Sequence, residues 1–141
     1  MKKEFYLILA LGFLGLGFLY YYLLRNPTIV QDALGWESLA ISWEYSKYLN
    51  WLPSFAHQFA FSILTWLIFG CSYRLFSILS WMLINIGAEF AQGVSPNVAK
   101  NLSSSLEFYA SRTTFAYEDI VAILAAAILA WFITSLRCQK N

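Results

Sequence analysis

Glu89 is the residue of this 141-residue chain whose surroundings ask most of its chemistry. It stands in Asn85-Ile-Gly-Ala-Glu89-Phe-Ala-Gln92-Gly, at the close of an apolar run from Leu75 to Phe90. On a helix Asn85, Glu89 and Gln92 fall at i, i+4 and i+7 and share one face, with Ile84, Ile86 and Phe90 opposite. A carboxylate in such a run is costly in hydrocarbon unless it faces protein or a water-filled cavity. It then holds a proton or pairs with a cation, and Arg112 and His57 are the natural partners. Two roles suit that face: a polar seam joining helices, or a functional site. His57 could serve as base, acid or interfacial anchor. Glu118 and Asp119 suit a helix N-terminus by charge alone, and with Glu89 they could share a proton or hold a metal. The spacing matches no compact ligand motif such as HExxH, and neither GxSxG nor a phosphate-cradling glycine loop is present. No metal, cofactor or catalytic residue is therefore assigned.

The elements that position these groups are membrane spans. The chain is 60% hydrophobic and 12% charged, with a mean hydropathy of +0.57, whereas a soluble domain carries about 25% charged residues. Few charges between long apolar runs indicate an integral membrane protein. The net charge of +1 leaves no footprint for nucleic acid, and no polar stretch is long enough to build a soluble catalytic core. We expect an all-α membrane protein: four transmembrane helices in an antiparallel bundle, at about 5–24, 54–72, 75–92 and 117–136. Two long loops, about 25–53 and 93–116, lie on one side. The first apolar run is too long for a signal-peptide core, and Tyr20-Tyr21-Tyr22 with Arg25 resembles an interfacial anchor. Within the first loop Trp36, Leu39, Ala40, Trp43 and Lys47 recur at helical spacing, which predicts an interfacial helix over Trp36 to Tyr48. Pro53 suits a first turn and Ser54 can cap the second span. Tyr73 and Arg74 make a short turn, and Gly93 with Pro96 stops the third span.

Lys2, Lys3, Arg74, Arg137 and Lys140 crowd into short segments on one side, whereas Arg25, Lys47, Lys100 and Arg112 are diluted over the long loops. The dense side is expected to be cytoplasmic, with both termini inside. Cys71 and Cys138 then lie at cytoplasmic ends, where a structural disulfide is not expected, and they form no recognisable metal motif. His57, Glu89, Gln92, Arg112, Glu118 and Asp119 all fall near the outer surface, at one depth.

In order and placement these residues resemble the VanZ-like family of small bacterial membrane proteins. His57-Gln-Phe59-Ala-Phe61 opens a span, Glu89-Phe-Ala-Gln92 closes the next, and Arg112 is followed seven residues later by Asp119 at the start of the last. The resemblance covers about 53–131. It departs from the family pattern at Ser54-Phe55-Ala56, where the family has a charged pair, and at Ile123 and Ala126-Ala127, where it has asparagine and glycines. What the resemblance implies is a bacterial cell-envelope protein of the inner membrane, in a family whose named member is associated with resistance to the glycopeptide teicoplanin and which has no established reaction.

Three functions are expected, in descending order. The first is a binding module with an outward polar pocket of His57, Asn85, Glu89, Gln92, Arg112 and Asp119. Its partners would be membrane lipids and a lipid-linked or acylated ligand. The second is a structural subunit, packing its first helix and the face Ala122, Ala125-Ala126-Ala127, Ala130 against other membrane subunits. The third is an enzyme on a lipid-linked envelope substrate, with His57 and a carboxylate as acid and base.

Overall fold

The computed structural model describes residues 3–23, 48–94, 98, 101 and 115–139. Arg112 and the expected interfacial helix, apart from Tyr48, lie outside these residues. The described residues contain four long helices and no strand: α1 (Lys3–Leu23), α2 (Leu52–Phe69), α3 (Arg74–Gln92) and α4 (Tyr117–Cys138). Each is long and apolar enough to cross a membrane. A helix closes its own backbone hydrogen bonds, which is the condition for entering hydrocarbon. The chain is an all-α, multi-pass membrane protein.

Contacts between side chains fix the direction of each helix. Tyr6 meets Trp66, Phe13 meets Phe59, and Tyr20 donates its hydroxyl proton to Asn50, so α1 runs antiparallel to α2. Phe90 stacks on Phe115 at the α3–α4 junction, and α4 returns alongside both α2 and α3. Thus α2 packs against all three other helices and lies at the centre. Phe59, Ala60, Ile63 and Trp66 of α2 form the core with Tyr6 and Ala10 of α1, Ile78 of α3, and Ala126, Ala127 and Ala130 of α4.

The inner faces are made of small and polar residues. On α1 the buried stripe is Tyr6, Ala10, Gly17 and Tyr20, spaced by three, four and seven. Leu7, Ile8, Leu11, Leu16, Phe18 and Leu19 point away from the bundle. A Cβ on Gly17 would stand 3.6 Å from that of Ala56, in ordinary van der Waals contact, so α1 and α2 lie close together there. On α4, Ala122, Ala126, Ala130 and Thr134 follow one another every four residues and are buried. The alanine face expected to meet partner subunits is thus mostly used within the chain; Ala125 alone of that set is exposed.

The α2–α3 hairpin departs from the expected boundary. The second span was expected to reach about residue 72, but α2 ends at Phe69. Gly70 takes φ of +82°, a left-handed conformation open to glycine at little cost, and so breaks the helix. A 3-10 turn, Cys71–Tyr73, then leads into α3. Ser54 also departs from expectation. It is already inside α2, whose N-cap is Trp51 without a side-chain cap, and its hydroxyl is used elsewhere.

Cys71 and Cys138 form a disulfide, with their Cα atoms 5.7 Å apart across 67 residues of chain. This corrects the expectation that no structural disulfide joins them. That expectation assigned the compartment first, whereas the hairpin turn and the last residue of α4 meet at the same end of the bundle and place the sulfurs together. Cross-linking across a long loop typically contributes about 2–4 kcal/mol. Reduction by a dithiol, or Cys138→Ser, should lower the thermal unfolding midpoint in detergent and retard the band on a non-reducing gel. An unchanged midpoint and mobility would show the thiols to be unjoined.

Candidate functional site

The antiparallel arrangement gathers the polar residues at the end opposite the disulfide. The first turns of α2 bring Ser54, His57 and Gln58; the last turns of α3 bring Asn85, Glu89 and Gln92; the first turn of α4 brings Glu118 and Asp119. The seam and the pocket separate here into two structures.

The first is a hydrogen-bond network buried between α2 and α3. Gln58 is fully buried. Its carbonyl oxygen accepts from Asn85 Nδ2 at 2.9 Å. Its amide nitrogen donates to Ser62 Oγ at 3.0 Å and to the carbonyl of Ile78 at 3.2 Å. Both amide protons and the amide oxygen of Gln58 are therefore used. A turn further on, Trp81 Nε1 donates to Thr65 Oγ1 at 2.7 Å, while Phe61 stacks on the Trp81 ring. Asn85 thus serves helix association. Sequence reading missed Gln58 as a partner, although Gln58, Ser62 and Thr65 recur at helical spacing within an apolar span and carried the same signal as Asn85, Glu89 and Gln92.

The second structure lies nearer the ends of the helices. Glu89 is 7% exposed although it is one turn from the end of α3. Asp119 is half-buried, and Ser54 Oγ donates to its Oδ1 at 3.1 Å, bridging the starts of α2 and α4. Glu89, Gln92 and Asp119 make further interactions besides. The chain returns close to Gly93, where a Cβ would stand 3.5 Å from Phe115 Cβ. Phe90, Phe115 and Tyr117 form a ring cluster at the rim, with Phe90 and Tyr117 largely exposed. Glu118, by contrast, is exposed.

His57 faces α1. Its ring lies nearly parallel to that of Tyr21, with centroids 6.3 Å apart, and is 5.9 Å from Phe61. Gly17 lies beside it, where a Cβ would stand in ordinary contact, 3.8 Å from His57 Nε2. Of the expected pocket residues, Glu89, Gln92 and Asp119 thus occupy one end of the bundle, Asn85 lies one turn deeper in the α2–α3 network, and His57 packs toward α1. Among the described residues no group of three His, Cys, Asp or Glu side chains could hold a metal ion.

No family model, curated protein or solved structure matches this chain.

The α2–α3 network predicts a specific pattern of stability. Removing one partner leaves a buried amide unsatisfied, whereas replacing both with apolar groups does not. Gln58→Leu and Asn85→Leu should each destabilise, and the double variant should be less destabilised than the sum of the two. The coupling should be about 0.6 kcal/mol and at most about 1.7 kcal/mol, the mean and the maximum for hydrogen bonds between membrane helices. Additive losses in thermal or denaturant unfolding would remove Asn85–Gln58 as a coupled pair.

Proposed function

We propose that this chain is a VanZ-like protein of the bacterial cytoplasmic membrane whose polar end binds the head group of an amphiphilic or lipid-linked ligand. Through that binding it contributes to resistance to glycopeptides such as teicoplanin. The observation that carries this reading is Glu89, a carboxylate 7% exposed inside a membrane-spanning helix. Ionisable groups within spans mark functional positions because their desolvation is costly. Support also comes from Asp119, which Ser54 holds at the same end of the bundle.

The chemistry of the end suits an amphiphile. Carboxylates accept hydrogen bonds from hydroxyl, amide and amino groups, which sugar and peptide head groups carry in number. Gln92 adds an amide that both donates and accepts. The Phe90–Phe115–Tyr117 cluster at the rim offers ring faces to an acyl chain entering from the lipid. A site between helices near the membrane surface admits such a ligand sideways, with its tail remaining in hydrocarbon.

Glu89→Gln keeps the shape of the side chain and removes its capacity to ionise. In this reading it changes the free energy of unfolding by no more than about 0.5 kcal/mol, the size of change seen at sites that do not carry stability. It lowers the affinity of the purified protein for lipid-linked cell-wall precursors at least tenfold and restores teicoplanin susceptibility in an expressing strain. A Glu89→Gln variant that loses stability and keeps binding would assign Glu89 to packing and overturn the reading.

A further inference from the structure

We propose that the end of the bundle closed by Cys71–Cys138 faces an oxidising compartment outside the cytoplasm, so that the polar end bearing Glu89, Gln92 and Asp119 opens toward the cytoplasmic leaflet. The first half stands on the disulfide; the second rests on the reading of the polar end as the ligand site.

The chain has two cysteines, and both are in this bond, with no cysteine left free. They come from separate elements, the turn after α2 and the last residue of α4, so the bond closes the bundle across its end. Cys71 is exposed and lies past the last turn of α2, and Cys138 is the last residue of α4, so the bond sits at the very ends of the spans. Thiols dissolved at that face of the membrane are then within reach of it. Thiol pools keep cysteines reduced in the cytosol, and structural disulfides persist in the periplasm and other oxidising spaces. A permanent cross-link at this position therefore belongs on the side away from the cytoplasm.

The charge distribution opposes this orientation only weakly. Of nine Lys and Arg residues, Lys2, Lys3, Arg74, Arg137 and Lys140 flank in sequence the span ends nearest the disulfide, and Arg25, Lys47, Lys100 and Arg112 flank in sequence the opposite span ends. The rule that basic residues stay inside counts charges within about 15–20 residues of the span ends and gives acids little weight. All nine lie within that distance, so dilution of the second group by Asp and Glu does not discount it, and the excess is a single charge. Arg74 is moreover half-buried, with its guanidinium 6.0 Å from the centre of the Trp131 ring, and serves packing within the bundle. A bias of one charge is a poor match for a covalent bond that the other orientation would expose to reductant.

The orientation selects among ligands. A polar end on the cytoplasmic side meets head groups carried by lipids of the inner leaflet, including lipid-linked precursors before export. An acylated molecule arriving from outside would meet the disulfide end instead.

The native chain supplies the test. Intact cells are treated with a membrane-impermeant phosphine reductant and then with an impermeant polyethylene-glycol maleimide. The expected result is a mobility shift for two added labels, dependent on the phosphine and obtained without permeabilisation. Labelling that needs permeabilisation but no reductant would mean reduced thiols in the cytoplasm and would overturn the proposal. So would a disulfide that the phosphine reaches only after permeabilisation. A complementary pair, Val94→Cys and Gln139→Cys, each in the Cys71→Ser/Cys138→Ser background, marks the two ends. Gln139→Cys should label from outside and Val94→Cys only after permeabilisation, and the reverse pattern counts against the proposal. Labelling reads orientation whatever the protein binds, so its failure is distinct from a failure of the ligand-site reading, which Glu89→Gln reports.

Discussion

Hydrocarbon offers no hydrogen bonds, so each polar group taken into the bundle must find its partner in the protein. Gln58 meets this condition completely, accepting from Asn85 and donating to Ser62 and to the Ile78 carbonyl. Because its partners lie on both α2 and α3, meeting the condition also fixes the register of those two helices. Apolar packing alone would not fix it, since lipid tails solvate leucine as well as another helix does. The central position of α2 follows from the same logic. It carries Ser54, Gln58, Ser62 and Thr65, whose polar atoms all bond to side chains or to backbone within the bundle, and it presents Ala56 and Ala60 where close approach is needed.

The fourth helix is held at both ends by different means. A covalent bond ties Cys138 to the hairpin turn, and the Ser54 hydroxyl meets Asp119 at the opposite end. Between them the stripe of Ala122, Ala126, Ala130 and Thr134 lies against the interior. Thr134 returns its hydroxyl proton to the Ala130 carbonyl and so adds no unmet polar group. A helix fixed at both ends cannot slide along its axis. The carboxylate of Asp119 therefore keeps a set position relative to the start of α2, and a site built on rigid elements holds its geometry better than one built on loops.

The spans were legible in the sequence because length and hydropathy alone determine them. Their inner faces were harder to see. In a soluble helix the apolar stripe marks the core, but in α1 almost every residue is apolar and the interior is marked by Tyr6, Ala10, Gly17 and Tyr20. Small size and a hydroxyl group are the signal there. Ser54 was expected as a helix cap because serine before a span commonly is one, but the helix had begun at Leu52, which left its hydroxyl available to α4. The shared face of Asn85, Glu89 and Gln92 was legible from helical spacing. That Asn85 would bond across to Gln58 depends on the alignment of α2 with α3, which the short hairpin sets and the sequence does not state. The disulfide was not legible because dispersed charges point to a reducing compartment for that end, while only the topology shows that the hairpin turn and the end of α4 meet there.

These contacts also bear on whether the polar face of α3 serves packing or ligand. Packing between α2 and α3 is already served by neutral amides and hydroxyls. An amide hydrogen bond costs far less desolvation than a carboxylate does, and buried ion pairs are weak contributors to stability. Glu89 lies one turn nearer the surface than Asn85, at the level where α2 and α4 begin and where Asp119 is held by Ser54. If helix association were the whole requirement, glutamine at position 89 would meet it with less penalty. A carboxyl group at that level, where an amide would meet the needs of packing, is the feature on which the proposed head-group site rests.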